Sequence, residues 1–195
     1  LLKEVDYQYV MTSLNNLNLS LGGNHPFGEL RSDRLLLRPI SLEYTDSIFQ
    51  EFTPEVTRYM YPKPAETIHD TMRFIRDSIR QWEQGTDLTL VILETNSQEF
   101  LGVCAIHRIH TETPELGIWT RKSAWGKGVG REAIHCLKQW VDEHLDYTYL
   151  SYPVAKQNTA SCKIPESLGG QVVREFQQMN LSGNLLDEVE YRIYR

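Results

Sequence analysis

From Arg121 to Ala133 the chain reads Arg-Lys-Ser-Ala-Trp-Gly-Lys-Gly-Val-Gly-Arg-Glu-Ala, with glycines at alternate positions 126, 128 and 130. The segment follows a stretch of strand character, Glu115 to Thr120. It runs into a helical pattern from about Gly128 to Leu145, where Ala133, Ile134, Leu137, Val141 and Leu145 share one side. A strand that turns through glycines directly into a long helix belongs to a mixed α/β layout. Such glycines let backbone N–H groups turn toward a common point, and the helix start adds its partial positive charge. Arg121, Lys122, Lys127 and Arg131 add four positive charges, in a chain whose 20 basic and 26 acidic residues leave it at −6. The expectation is a focused anion site suited to a pyrophosphate. The plainer reading is a glycine-rich turn that only starts a helix.

Both common nucleotide motifs fail here. A Walker loop needs Gly-Lys followed by Ser or Thr, and Lys127 is followed by Gly128. A dinucleotide fingerprint needs G-x-G-x-x-G; Gly130 comes one residue early and Arg131 stands at the third glycine's place. A P-loop phosphotransferase is therefore disfavoured.

The rest of the chain frames this loop. Arg34 to Pro39 reads as a strand, Ser41 to Phe52 as a short helix capped by Ser41, and Thr67 or His69 opens a helix ended by Gly85. Asp87–Glu94 and Glu99–Ile109 form a hairpin around Thr95-Asn96-Ser97-Gln98. After the glycine loop and its helix come a strand at 149–154, a helix at 159–168 stopped by Gly169-Gly170, and strands at 171–179 and 188–194. The order is β-α-α-β-β-β-α-β-α-β-β. Residues 1–29, rich in Asn, Gly and Ser with interspersed leucines, read as a loosely structured arm packed on a domain at 30–195. At 195 residues and 41% hydrophobic, the chain suffices for about one domain with a sizeable core. The negative balance argues against coating nucleic acid or an anionic membrane. No apolar run approaches the ~18 residues of a membrane span. Cys104, Cys136 and Cys162 form no CxxC pair, so they read as buried thiols of a cytoplasmic protein, and no metal site is expected.

A second segment, Val154-Ala155-Lys156-Gln157-Asn158-Thr159-Ala160-Ser161, follows the next strand, and Asn158 is placed to cap the helix after it. The pair of segments, strand–Gly-loop–helix and then strand–Asn-x-x-Ser–helix–Leu-Gly, resembles the GNAT superfamily of acyl-CoA-dependent N-acetyltransferases. The RimJ/RimL-type branch, ribosomal-protein N-terminal acetyltransferases and their relatives, is the nearest in pattern; Arg34-Leu35-Leu36-Leu37-Arg38-Pro39 and Glu115-Leu116-Gly117-Ile118-Trp119 also match it. The resemblance spans about Leu30 to Tyr194. It implies a mostly antiparallel mixed sheet of about six or seven strands, flanked by about four helices and splayed at an acetyl-CoA site. It implies that Trp125, Gly126, Lys127, Gly128, Val129, Gly130 and Arg131 wrap the CoA pyrophosphate. The backbone of Ile118, Trp119 and Thr120 would pair with the pantetheine arm, with Asn158 and Ser161 beside the thioester sulfur.

The implied reaction is direct attack of a substrate amine on the thioester of acetyl-CoA. The amine must be neutral, which costs a lysine about 4 kcal/mol near neutral pH and a protein α-amine under ~1 kcal/mol. Glu115 is the first candidate base, acting through water; a solvated strand-end Glu is the plainer reading. His107 and His110 end the preceding strand and read first as structural or surface residues, second as cleft residues. Many GNAT enzymes carry a Tyr to protonate the thiolate where this chain has Pro165. Ser161 is the nearest hydroxyl and takes that role here, whereas Tyr152 lies too early on its strand to be assigned one. The absent Tyr also motivates an alternative, a catalytically silent CoA-binding or sensing module. Tyr59, Met60, Tyr61 and Trp82 read as acceptor-pocket or packing residues, and Lys63, Arg73, Arg76 and Arg80 as solvated surface. The acceptor is a protein N-terminus or a small amine, and the chain is a monomer or homodimer.

Overall fold

A strand with no charged residue and a single hydroxyl, such as Leu88-Thr89-Leu90-Val91-Ile92-Leu93, must be covered on both faces. In the computed structural model, which describes residues 28–195, all six of those residues are buried. The elements are β1 (Leu30–Arg31), β2 (Leu35–Pro39), a 3₁₀ turn (Leu42–Tyr44), α1 (Thr45–Glu51), a 3₁₀ turn (Val56–Tyr59) and α2 (Ile68–Glu83). Next come β3 (Asp87–Glu94), β4 (Phe100–His107), β5 (Glu115–Thr120), a 3₁₀ turn (Lys122–Ala124) and α3 (Val129–His144). The chain closes with β6 (Leu150–Ala155), α4 (Thr159–Ser167), β7 (Gln171–Met179) and β8 (Leu185–Ile193). The eight strands form one sheet in the order β1-β2-β3-β4-β5-β6-β8-β7.

Helices lie on both faces. On one, Leu35, Leu88, Leu90, Cys104 and Leu116 pack with Ala133, Ile134, Leu137 and Val141 of α3. On the other, Leu36, Val91, Leu93 and Val103 pack with Ile48 of α1 and Ile75 of α2. The alternation of side chains along a strand sorts neighbouring residues to opposite layers.

Every neighbouring pair in the sheet is antiparallel except β5 and β6, which run parallel and pair at one position, Glu115 with Ser151. Beyond that point the two strands part into a V, so the expected splay is present. Gly102 brings β4 close to β5: a Cβ there would lie 2.2 Å from the Trp119 carbonyl oxygen.

Several sequence expectations need correction. The sheet has eight strands rather than six or seven, because Leu30 folds back against Leu37 in a strand of two residues, too short to leave an alternating pattern. Ser41 does not cap its helix through its side chain; its Oγ is buried without a partner and the segment begins as a 3₁₀ turn. Thr67, not His69, opens α2, in a reciprocal capping box with Asp70. Cys104 and Cys136 are buried, but Cys162 is only partly so. Most of the arm assigned to residues 1–29 lies outside the described residues.

Candidate active site

The glycine loop enters α3 through two left-handed residues, Gly126 at φ 74° and Gly128 at φ 78°, a region where a side chain would be strained. Among the described residues, no side chain caps the helix. None of the backbone N–H groups from Gly126 to Arg131 has a hydrogen-bond acceptor among the described residues; the first that does is Glu132, to the Gly128 carbonyl at 3.1 Å. A row of unanswered amides at a helix start is an anion cradle. Gly130 has a different use. A Cβ there would stand 3.3 Å from Ile164 Cδ1 and 3.6 Å from Ile118 Cδ1, so its bareness lets α3 close on β5 and α4.

The cradle is held from outside. Glu132, in the first turn of α3, accepts from Ser32 Oγ at 2.6 Å, from Arg34 N at 3.0 Å and from Arg34 Nε at 2.8 Å. Burial pushes the Glu132 carboxyl up, but those hydrogen bonds outweigh it and hold the group below its ordinary range. Arg34 Nη1 also donates to the Lys127 carbonyl at 3.2 Å. Trp125 Nε1 donates to the Thr120 carbonyl at 3.0 Å, tying the loop to the end of β5. Two of the four expected positive charges are engaged elsewhere: Arg121 pairs with Glu99, and Lys122 with Glu55 at 2.9 Å. Lys127 and Arg131 form no ion pair with the described residues.

Asn158 does cap α4, its Oδ1 accepting from Ser161 N at 3.3 Å. The Ser161 hydroxyl lies 2.8 Å from the Tyr152 hydroxyl. Tyr152 is buried, and burial pushes its pKa up, more than the Ser161 hydrogen bond lowers it. Tyr152 thus lines the cleft beside Ser161. Its place on β6 points it across to α4, a meeting that spacing along the strand does not reveal.

Two cavities meet at the V. A groove of about 1240 Å³ runs past Ile118, Trp119, Thr120, Trp125, Gly126, Gly128, Val129, Gly130, Arg131, Asn158 and Ser161. Of the expected cofactor residues, only Lys127 does not line it. A cleft of about 1010 Å³ lies on the α1–α2 face and holds Glu115. Tyr59, Met60, Ile118, Trp119, Asn158 and Ser161 line both spaces. A ligand in the groove and another in the cleft would meet there. The groove, with its amide cradle and two free cations, fits a long anionic coenzyme.

The cleft is rich in charge. Arg108 donates to Glu115 Oε2 at 2.9 Å. His107 Nδ1 lies 2.7 Å from Asp87, and a Cβ on Gly117 would be 3.3 Å from His107 Nε2. Burial raises the Asp87 carboxyl, but hydrogen bonding from His107 and Thr86 leaves it lowered. Glu190 pairs with Arg174 at 2.9 Å. Glu188 is 7% exposed, and its carboxylate has no hydrogen bond or ion pair among the described residues. The apolar wall comes from the loop after α1. It is pinned by the β7–β8 turn, where Asn180 Nδ2 donates to the Met60 carbonyl at 3.2 Å and Leu181 N to the Tyr61 carbonyl at 2.9 Å. The Arg34–Glu132 clamp and Glu188 leave no signal in the sequence, and Tyr152 gains its place only from Ser161, since each is defined by a partner distant in sequence or by lacking one. Among the described residues no group of three or more His, Cys, Asp or Glu could hold a metal ion, and no helix is long and apolar enough to cross a membrane.

Comparison with known proteins agrees with this geometry. A sequence model of the acetyltransferase (GNAT) domain matches residues 34–171. The uncharacterized N-acetyltransferase p20 of Bacillus licheniformis is 29% identical over 167 residues, covering 81% of this chain and 91% of its own. Among solved structures, RimL, a ribosomal L7/L12 alpha-N-protein acetyltransferase in complex with coenzyme A, superposes with a TM-score of 0.76 at 16% identity, covering 86% of this chain and 98% of its own. An acetyltransferase from Salmonella typhimurium that modifies the N-terminal serine of L7/L12 gives 0.75 at 16% identity, over 86% of this chain and 99% of its own.

Proposed function

Because the chain belongs to the GNAT acetyltransferase family, we propose that it transfers an acetyl group from acetyl-CoA to a primary amine by direct attack in a ternary complex. The single observation that carries this reading is the meeting of the groove and the cleft at Asn158 and Ser161. The amides from Gly126 to Arg131, with Arg131 and Lys127 nearby, would hold the pyrophosphate, and the open edge of β5 along Ile118, Trp119 and Thr120 would hold the pantetheine. The coenzyme supplies an activated thioester. Everything else falls to the protein: aligning it with the amine, excluding water and moving protons.

The amine approaches through the cleft. Its nitrogen bonds the acyl carbon as the carbon–sulfur bond breaks, and it must shed protons to do so. Glu115, at the closed end of the V, takes a proton through water; Arg108 holds one of its oxygens and leaves the other to order that water. Ser161 faces the departing sulfur, with the Tyr152 hydroxyl behind it as the proton source. The acceptor is an amine of a protein N-terminus or of a small molecule; the RimL likeness supports the first by fold alone.

Pro165, in place of the Tyr many relatives carry, favours the second reading, a silent CoA-binding module. Release of free CoA thiol from acetyl-CoA, followed with a panel of small amines and N-terminal peptides, separates the two. Sustained, amine-dependent release is expected, and its absence across the panel rejects transfer. Glu115→Gln is expected to keep acetyl-CoA affinity while turnover falls by roughly 10- to 100-fold, most at low pH. Unchanged turnover between pH 6 and 8 would remove Glu115 from the mechanism.

A further inference from the structure

Among the described residues, every acid lining the cleft has a partner except one. Glu66 pairs with Lys63 at 2.5 Å, Asp70 with Arg73, Glu115 with Arg108 and Glu190 with Arg174. Glu188 stands among them nearly buried and unanswered. Its surroundings are fixed on all sides. On its own strand Glu190 also approaches Arg192 at 3.6 Å. On β7 its register partner is Phe176, over which Arg174 stacks at 4.7 Å, held toward Glu190. On β6 it faces Ala155. From β5 comes the Glu115 carboxylate, and His107, bound to Asp87, lines the cleft from β4. Lys63, Glu66 and Asp70 line it from the loop before α2 and its first turn. No cation in this set is free to neutralise Glu188. Around it the remaining wall is apolar: Tyr61 and Phe74 are half exposed, and Met60 lies between the cleft and the groove.

We propose that Glu188 is the acceptor's docking carboxylate: a primary amine with one positive charge and an apolar body brings its ammonium to Glu188, which takes the first proton before attack. The proposal rests on the acetyl-transfer reading. It completes the proton count. An ammonium gives one proton to Glu188 and becomes a nucleophile. After the carbon–nitrogen bond forms, the nitrogen sheds a second through the water at Glu115. The thiolate leaving with the broken carbon–sulfur bond gains one from Ser161. Glu188 suits the first step because burial, and then the nearby charge of Glu115, hold its carboxyl above the ordinary range, so it binds a proton more readily than a surface glutamate. A polyamine would bring further charges that no carboxylate in the cleft is free to meet.

The test uses the full chain saturated with CoA and phenethylammonium chloride as the probe. In carbon-detected NMR of labelled glutamates, Glu188 is expected to titrate above surface glutamates, and its midpoint to fall when the amine is added. A midpoint in the surface range, or one that the amine does not move, overturns the proposal. In kinetics with phenethylamine, Glu188→Gln is expected to lower kcat/KM roughly 100-fold and to move the acid limb of its pH profile up toward the amine's own pKa, with acetyl-CoA affinity within about twofold. Glu188→Asp is expected to recover part. An unaltered pH profile in Glu188→Gln, or spermidine proving the better substrate, also overturns it. If the wild type acetylates no amine while phenethylammonium still moves the Glu188 midpoint, acetyl transfer fails and Glu188 stands as an ammonium site.

Discussion

In the proposed reaction, Ser161 and Tyr152 act at the residue scale as a unit. A buried phenol whose pKa is pushed up by burial keeps its proton at neutral pH, and at 2.8 Å it can pass that proton through the serine. Either residue alone leaves the relay broken. Ser161→Ala and Tyr152→Phe are therefore each expected to lower kcat by roughly 10- to 100-fold with little change in KM for acetyl-CoA. The double variant is expected to be no worse than the poorer single one, because the two share one function. Additive losses in steady-state kinetics would separate them. Ser161 was legible because it follows a recognisable capping Asn by three residues. Tyr152 was not, because its partner is set by how α4 lies across β6, and strand periodicity reports only which face a side chain takes.

At the scale of elements, the loop and the first turn of α3 form one device. Gly126 and Gly128 supply left-handed backbone, the bare helix start supplies donors, and Arg34 with Glu132 locks the whole to β2. Gly128→Asp strains that backbone by about 1–2 kcal/mol and sets a negative charge where a diphosphate would sit. Calorimetry with acetyl-CoA is expected to show affinity at least tenfold weaker (about 1.4 kcal/mol). Gly128→Ala, which meets only Arg34 Nη2 at 3.5 Å, is expected to lose less. Equal affinity for wild type and Gly128→Asp would remove the loop from cofactor binding. The glycines, the strand before them and the helix after them were all readable, since each is a local property. The charge count was misleading: Arg121 and Lys122 lie in the same stretch but turn to Glu99 and Glu55, partners far away in sequence.

Across the whole molecule, the sheet is continuous at every join but one. Strands β1 to β5 and β6 to β8 are linked in the sheet through Glu115 and Ser151, with α3 and its core spanning the join. A ligand that lies along β5 and grips the start of α3 would brace this weak seam. Acetyl-CoA at about 100 times its Kd is expected to stabilise the fold by about 2.7 kcal/mol, or to raise Tm by roughly 5–10 °C. Thermal scans with and without the cofactor check this, and Gly128→Asp at the same concentration is expected to lose most of the rise.

Hydrophobic alternation, helical periodicity, the glycine loop and the Asn-x-x-Ser segment were enough to anticipate the element order apart from the two-residue β1, the family, and the stretch of the groove's lining that runs along β5, the glycine loop and the start of α4. Those features depend on residues a few positions apart, and local sterics and local burial govern them. Which carboxylates are paired and which stands alone, which cations reach the cradle, and which hydroxyl backs Ser161 were decided by packing between distant segments. Electrostatic partnership depends on distance in space and on desolvation, and a linear order of residues specifies neither.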